Sequence, residues 1–212
     1  MDEKPLPGRQ AQAARNDAAI LAAARTVFLR DPSAPISAVA AEAGVGISAL
    51  YHRYAGKEEL LRQLCVAGLV EFISIARGVL TRDGDPWQDF VAFVTEIVIA
   101  DVHAITVKLA GTFTPDAQLG ALAEQASELT AQIFDQVMRA GVVRPELRVE
   151  DLGLLFEQLT AVRASEPART RELRHRYLAI LLDGVRVDAA TGVLPGPAPG
   201  AGEFAGRWAP RA

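Results

Sequence analysis

The chain has 212 residues, half of them hydrophobic, so it can form one large or two small domains with a sizeable core, and intrinsic disorder is excluded for most of it. Its single cysteine, Cys65, excludes an intramolecular disulfide framework and a multi-cysteine zinc site, and it favours a reducing, cytoplasmic setting. The net charge of −4 is uneven, because residues 1–57 contain seven Lys and Arg against five Asp and Glu. A mildly basic N-terminal part therefore precedes an acidic body, which permits a nucleic-acid partner for that part.

We expect a soluble, cytoplasmic protein that has no membrane partner. The N-terminus is polar and charged, so no secretory signal is visible. The longest apolar stretch, residues 90–109, is interrupted by polar or charged side chains, namely Thr95, Glu96, Asp101, His103 and Lys108. A membrane span needs roughly 18 uninterrupted apolar residues, which this stretch does not supply.

The pattern of apolar residues predicts an all-α fold. No sustained apolar and polar alternation indicates strands, whereas Ala, Leu, Glu and Arg recur at helical spacing. Glycines and prolines between the apolar segments mark the breaks. The expected helices span residues 9 or 15 to 30, 36–43, 47–54, 57–80, 86–101, 103–111, 115–140, 149–163 and 167–187.

Residues 37–57 carry the strongest functional signal. Two short predicted helices flank the Gly44-Val45-Gly46 turn, which is typical of a helix-turn-helix at about residues 36–54. On a helical wheel, Leu50 and Tyr54 face inward, and Ser48, Ala49 and His52 face outward. A helix that reads DNA needs this arrangement, because an apolar face holds it in the domain while short or hydrogen-bonding side chains approach the bases.

Other side chains near this helix suit phosphate contacts. Tyr51 lies beside the outward face and can reach a phosphate oxygen, and Arg53 lies on the other flank. Lys57 opens the next helix, so its charge and the positive helix N-terminus would both favour the DNA backbone.

The run from Val39 to Leu61 resembles the TetR family of bacterial transcriptional regulators. It combines Ala-Gly-Val at the turn, Leu-Tyr with a second aromatic residue three positions later, and Lys-x-x-Leu-Leu after a small loop. The resemblance implies an N-terminal three-helix DNA-binding domain and a larger C-terminal helical domain for ligand binding and dimerisation. We expect a flexible tail at 1–8, the DNA-binding domain at 9–57, the effector and dimerisation domain at 58–188, and a flexible Pro- and Gly-rich tail at 189–212.

Carried over position by position, the resemblance gives a set of candidate DNA contacts. Ser48, Ala49 and His52 would face bases or nearby backbone, and Tyr51 and Lys57 would hold phosphates. Gly46 and Ile47 begin the reading helix. The full set is Ser37, Gly46, Ile47, Ser48, Ala49, Tyr51, His52, Arg53 and Lys57.

The resemblance also implies a homodimer formed through the last two long helices and a small-molecule effector. Leucines and aromatic residues recur there at interface spacing, with ordinary core as the alternative, namely Leu152, Leu155, Phe156, Leu159, Leu173, Tyr177, Ile180 and Leu181. A pocket for a small, largely apolar effector needs aromatic walls and a few polar groups. The candidates are Trp87, Phe90, Phe93, His103, Phe113, Phe134, Phe156 and Thr160, for which plain core is again the alternative.

Motifs for cofactor binding, nucleophilic catalysis and metal binding are matched only in part, because the surrounding sequence lacks the elements that each motif requires. Residues 44–49 match the dinucleotide pattern G-x-G-x-x-[GA], but no strand precedes them. Gly46 to Leu50 lacks the final glycine of a nucleophile elbow. His103 has no second histidine at ligand spacing, so we expect no metal and no cofactor.

The resulting prediction is a ligand-responsive repressor, not an enzyme, that leaves a palindromic double-stranded operator when an effector binds. An enzyme would need convergent acid, base or nucleophilic groups, which the sequence does not display. The remaining alternative is a helical small-molecule sensor whose head, the N-terminal helix-turn-helix domain at residues 9–57, docks on protein rather than on DNA.

Overall fold

The computed structural model describes residues 7–200 and 202–203, with side chains from Asn16 onward. The described part is helical, and its only β feature is an isolated bridge between Val143 and Arg186. The helices are α1 Pro7–Arg30, α2 Ile36–Ala43, α3 Ile47–Arg53, α4 Lys57–Leu80, α5 Pro86–Ala100, α6 Val102–Leu109, α7 Ala117–Arg139, α8 Val149–Ala161 and α9 Pro167–Val185. The all-α prediction is therefore confirmed.

Local sequence signals explain where the helices begin and end. Asp85 and Asp116 cap α5 and α7, because each carboxylate accepts a hydrogen bond of 2.9 Å from a backbone N–H three residues later. Gly141 follows α7 with φ +68°, a left-handed conformation that glycine adopts without a steric penalty. Helices α2 and α4 have the predicted bounds, and most others end one or two residues from them.

The chain divides into two compact units, residues 1–65 and 66–212, with the division inside α4. In the first unit, α1 and α2 pack together, and their apolar faces are buried at Ile20, Phe28 and Val39. Residues 1–6 of the predicted N-terminal tail lie outside the described residues, and α1 begins at Pro7.

The second unit has its own core, formed mainly by α5, α7, α8 and α9. Phe93, Ile97 and Val137 are fully buried in it, and the ring of Phe93 meets that of Phe156 edge-on at 6.4 Å. Residues 189–200 contain no helix. Arg144, which is 9% exposed, donates from Nη1 to the carbonyl of Gly192 at 2.9 Å, so the start of this C-terminal segment is hydrogen-bonded to the body.

Helix α4 is long and apolar enough to cross a membrane, and so are α5 and α6 together, although they are bent by 63° at their junction. Core helices have the same length and composition. Leu60, Ile73 and Val79 of α4 are buried within the protein, as are Phe93 and Ile105 of the bent pair. These positions belong to the protein core.

Candidate functional site

The corner between α2 and α3 depends on one glycine conformation. Gly44 follows α2 with φ +66° and ψ +27°, in the left-handed region that favours glycine. Its backbone N–H donates to the carbonyl of Ala41 at 3.2 Å, and the N–H of Val45 donates to that of Ala40 at 3.0 Å. These bonds end α2 and turn the chain into α3, which forms the predicted helix-turn-helix.

The inner face of α3 is apolar, as its wheel predicts. Leu50 is fully buried and Tyr54, which follows the helix, is 7% exposed. Burial of the Tyr54 ring raises the pKa of its phenol, so this hydroxyl stays neutral. Ile47 lies at the edge of the apolar stripe and is 40% exposed. The helix is thus held by two side chains that cannot contact DNA.

The outer face of α3 carries the predicted base-facing residues. Ser48, Ala49 and His52 are exposed, and Tyr51 is 55% exposed. Gly46, the N-cap of α3, is exposed as well, and a Cβ at Gly46 would meet no atom within 4 Å. Ser37 is exposed on the first turn of α2. These predicted contacts are therefore exposed, and only some of them carry hydrogen-bonding groups.

Arg53 and Lys57 make contacts inside the first unit. The Nη2 group of Arg53 donates to Oδ2 of Asp17 in α1, and these side chains are 36% and 34% exposed. The Nζ atom of Lys57 lies 5.4 Å from the centroid of the Phe28 ring, a cation–π distance. Arg53 therefore connects α3 to α1, a contact that the sequence pattern does not predict.

Two cavities lie in the second unit, along α5, α8 and α9. The first has a volume of about 10 Å³ and is lined by Ile97, Val98, Asp101, His103, Phe156, Leu159, Thr160 and Arg174. The second has a volume of about 20 Å³ and is lined by Phe90, Val94, Leu152, Leu155, Phe156, Leu159, Leu178, Leu181, Leu182 and Val185. Phe156 and Leu159 line both cavities, so the two spaces adjoin.

The predicted pocket residues divide between cavity and core. His103, Phe156 and Thr160 line the first cavity, and Phe90 and Phe156 line the second. Four others line neither cavity. Phe93 and Phe134 are buried in the core, Phe113 is buried after α6, and Trp87 packs beside Phe90 with its ring under the guanidinium of Arg186.

Arg174 is the residue of this region that sequence reasoning missed. It lies in a basic stretch that reads as a solvated helix face, yet it is 5% exposed and lines the first cavity. Its Nη1 donates to Asp101 at 2.6 Å, and its Nε and Nη2 donate to the carbonyls of Val162 and Thr160, both at 3.2 Å. Its spacing from Leu178, four residues later on the same face, is the signal that could have identified it.

Asp101, the partner of Arg174, has an unusual backbone. Its φ of +54° is the only positive value at a non-glycine residue in the described part of the chain. It joins α5 to α6 at their bend. Sparsely populated backbone conformations persist where the surroundings hold them, and they cluster at ligand sites and switches.

Helix α9 exposes large apolar side chains that the core does not use. Tyr177 is 47% exposed and Ile180 is 55% exposed. On α8, by contrast, Leu152, Phe156 and Leu159 are buried within the protomer, so they are core residues and are not available to a partner. The described residues contain no group of His, Cys, Asp and Glu that could hold a metal ion.

These features define a class: a helix-turn-helix domain followed by a helical body with internal cavities. Residues 20–64 match the model of bacterial regulatory proteins of the tetR family. Residues 85–187 match the C-terminal domain of transcriptional regulators described as SbtR-like. No curated protein sequence matches the chain.

Solved structures of similar fold agree with these matches. LfrR from Mycobacterium smegmatis, a TetR-like regulator solved in complex with proflavine, has a TM-score of 0.64 at 20% identity, over 86% of this chain and 99% of its own. SCO0520 from Streptomyces coelicolor has a TM-score of 0.57 at 23% identity, over 80% of this chain and 98% of its own. PfmR from Thermus thermophilus has a TM-score of 0.56 at 21% identity, over 84% of this chain and 96% of its own. The chain belongs to the TetR family of transcriptional regulators, whose members are non-enzymatic DNA-binding proteins.

Proposed function

We propose that the protein is a ligand-responsive repressor that binds a palindromic DNA operator as a homodimer and leaves it when a small effector binds. The observation that carries this proposal is the outer face of α3, where Ser48, Tyr51 and His52 are exposed while Leu50 anchors the helix. A helix anchored in this way can enter the major groove with its outer side chains toward the base edges.

The candidate contacts take two roles in this proposal. Ser48 and His52 hydrogen-bond to base edges, and Ala49 and Ile47 make apolar contacts with thymine methyl groups. Tyr51, Lys57 and Ser37 hold phosphates, and the backbone at Gly46 approaches the DNA closely because no side chain intervenes. Arg53 is the remaining candidate, and its bond to Asp17 limits what it can give to a phosphate. With few hydrogen-bonding groups on the face, DNA shape carries part of the specificity.

Dimerisation places two reading helices about one DNA turn apart, as a palindrome requires. The exposed Tyr177 and Ile180 of α9 support an interface there. The cavities of the second unit support an effector site, and an effector acts by binding better to the dimer in which the reading helices have the wrong separation. The proposal gives the chain no catalytic role and places it in the bacterial cytoplasm, with DNA.

The first test is fluorescence anisotropy of the purified protein with the duplex upstream of its own gene and a scrambled duplex of equal length, each titrated across salt. We expect tight binding to the native duplex that weakens steeply as salt rises, because phosphate contacts release counterions. Binding should be at least about a thousandfold weaker to the scrambled duplex, the lower end of the range for specific regulators.

Two outcomes contradict the proposal. If neither this duplex nor a pool of random genomic duplexes binds in a salt-dependent way, the protein is not a DNA-binding regulator. If the head instead binds a protein partner with little salt dependence, the sensor that docks on protein is correct.

A further inference from the structure

Lys57, the first residue of α4, contacts the ring of Phe28 near the end of α1. Its Nζ atom lies over this ring, 5.4 Å from the centroid, within the distance at which a cation is attracted to an aromatic face. Phe28 is completely buried, so its ring has a fixed place in the first unit. The ring therefore gives a defined position to an ammonium group that ends a flexible four-carbon chain.

The acidic residues that follow Lys57 are engaged with other partners. Glu59 accepts hydrogen bonds from Nη1 of Arg62 and, at 2.9 Å, from Nε2 of Gln63. Glu58 lies 3.5 Å from Nη2 of Arg62. Lys57 has no carboxylate partner in the part of the chain that the structure describes. An ammonium has three N–H donors, and a ring covers only one side of it, so donors remain for an anion.

We propose that Phe28 is a positioning residue for DNA binding, because its ring holds the ammonium of Lys57 where it meets a phosphate of the operator. A lysine side chain loses rotamer entropy when a phosphate fixes it. The ring restricts Lys57 before DNA arrives, so this loss on binding is smaller. The inference rests on the proposed DNA-binding function and adds to it a buried residue that cannot touch DNA.

NMR spectroscopy of the free protein tests the contact itself. The chain has three lysines, at positions 4, 57 and 108, so spectra of protein that contains carbon-13-labelled lysine are simple, and Lys57→Gln identifies the signal. We expect the ε-methylene protons of Lys57 to be shifted upfield from those of the exposed Lys108, because they lie near the face of an aromatic ring. The shift should disappear in Phe28→Leu.

Fluorination of the ring tests the role in DNA binding, because fluorine weakens the attraction of a ring for a cation while it nearly preserves the ring's size. Mono-, di- and trifluorinated phenylalanine at position 28 should lower affinity for the duplex upstream of the gene step by step. The full loss should be about twofold to fivefold per DNA-binding domain, the contribution of a cation–π contact at an exposed site. A scrambled duplex should lose affinity equally, because a phosphate is the same in every sequence.

Two controls separate positioning from packing. Trifluorinated phenylalanine in place of Phe93, a completely buried ring of the second unit, should leave operator affinity unchanged. In the Lys57→Gln background, trifluorination at position 28 should have no further effect, because the ammonium is absent. A purely structural role of Phe28 would lower affinity by the same factor with and without Lys57. If Phe28→Leu does not fold, as judged by its thermal transition, the fluorinated variants provide the test alone.

The proposal is overturned if fluorination leaves affinity unchanged, raises it, or lowers it equally in both backgrounds. A rise would mean that the ring holds the ammonium away from the DNA. Failure of this inference is distinguishable from that of the proposed function. A wild type that binds its duplex while fluorination has no effect keeps the DNA-binding role and loses the inference. A protein that binds no duplex loses both, whatever the NMR shift of Lys57.

Discussion

Residues on the outer face of α3 differ in what they can recognise. Tyr51 offers a hydroxyl that reaches the DNA backbone, which is the same in every sequence. His52 offers ring nitrogens to base edges, which differ between sequences. We predict that Tyr51→Phe weakens binding to native and scrambled duplexes alike by about threefold to tenfold, the effect of one hydrogen bond. His52→Ala should lose about 1–3 kcal/mol of discrimination against the wrong base.

Competition anisotropy with single-base operator variants checks this assignment. Glu42→Gln, at an exposed position on α2, serves as a control because it changes a charge without altering the face of α3. If His52→Ala also reduces binding to native and scrambled duplexes by the same factor, His52 does not read bases, and if Tyr51→Phe changes the base preference, Tyr51 does not act through the DNA backbone.

Arg53 is better suited to position α3 than to bind a phosphate, because its guanidinium already pairs with Asp17 of α1. Under this role, Arg53→Asp weakens operator binding by repulsion between α3 and α1. The double variant Asp17→Arg with Arg53→Asp restores the pair in reverse and should recover most of the affinity. Under a phosphate-contact role, the double variant stays weak, since position 53 still carries the wrong charge.

The measurement is a double-mutant cycle of operator affinity together with thermal stability. The pair is partly exposed, so its effect on stability is at most about 1 kcal/mol. A recovery of affinity with the double variant, at unchanged salt dependence, supports the positioning role. The slope of log affinity against log salt concentration measures the number of phosphate contacts. A decrease of about one unit in the magnitude of this slope in every Arg53 variant, including the double variant, would contradict the positioning role.

Cys65 is buried, and this burial raises the pKa of its thiol from an ordinary value of 9.0 to about 12. The unfolded chain therefore deprotonates first as pH rises. The stability that burial of the neutral thiol contributes is fully present below pH 9 and is lost between about pH 9 and 12, at about 1.4 kcal/mol per pH unit. We expect no redox role for this thiol, because the reactive thiolate is disfavoured at neutral pH.

Denaturant unfolding of the wild type and of Cys65→Ala at pH 7, 8, 9 and 10 isolates this group, because other alkaline titrations occur in both proteins. The difference in unfolding free energy should stay constant up to pH 8 and shrink at pH 10. A constant difference throughout would show that the folded and unfolded thiols titrate alike.

At the scale of helices, the sequence predicts most of the fold because the signals are local. Proline at residue 86, capping carboxylates and Gly141 act within one turn of the helix end, so α5 and α7 are found within two residues of their bounds. The wheel of α3 likewise identifies Leu50 and Tyr54 as buried. Contacts between distant segments are different: Arg174 with Asp101 and Arg53 with Asp17 join residues 73 and 36 positions apart, and no local pattern specifies them.

The turn between α2 and α3 offers a matched pair of glycines. A Cβ would meet no atom within 4 Å at either Gly44 or Gly46, but only Gly44 has a positive φ. Gly44→Ala should therefore destabilise the fold by about 1–2 kcal/mol, the cost of a left-handed conformation with a Cβ. Gly46→Ala should leave stability unchanged or raise it slightly, since its φ of −66° suits any residue.

Circular dichroism during denaturant unfolding measures both variants, and a folded domain in each allows operator affinity to be compared. Gly46→Ala is expected to weaken DNA binding despite its normal stability, because the added methyl group separates the backbone from the DNA. Equal losses of stability in the two variants would mean that the conformation of Gly44 does not limit the turn.

At the scale of the whole molecule, the division of charge agrees with the division of the fold. The mildly basic residues 1–57 form most of the first unit, and the acidic remainder forms the second. Under the proposed function, the acidic charge of the second unit disfavours nonspecific association with DNA, so specificity would depend on a small number of contacts and on the simultaneous use of two DNA-binding domains. On this proposal, operator affinity depends on the oligomeric state.

In the proposed dimer, the exposed apolar face of helix α9 forms the interface. Tyr177, Ile180 and Gly184 fall within about 60° of one another on its wheel, beside the buried face and away from Ala179. The glycine lets a second helix approach closely. We predict that Tyr177→Glu with Ile180→Glu converts the protein to a monomer and lowers operator affinity by at least about a hundredfold, because two heads no longer bind as one unit.

Light scattering coupled to size exclusion measures the mass, and anisotropy on whole and half operators measures affinity. Ala179→Glu adds the same charge at an exposed position on the opposite side of α9, so it should remain dimeric and keep its affinity. The double variant should bind half operators as the wild-type head does, since α3 is unchanged. A dimeric double variant would place the interface elsewhere, and a monomeric one with full affinity would show that a single head suffices for operator binding.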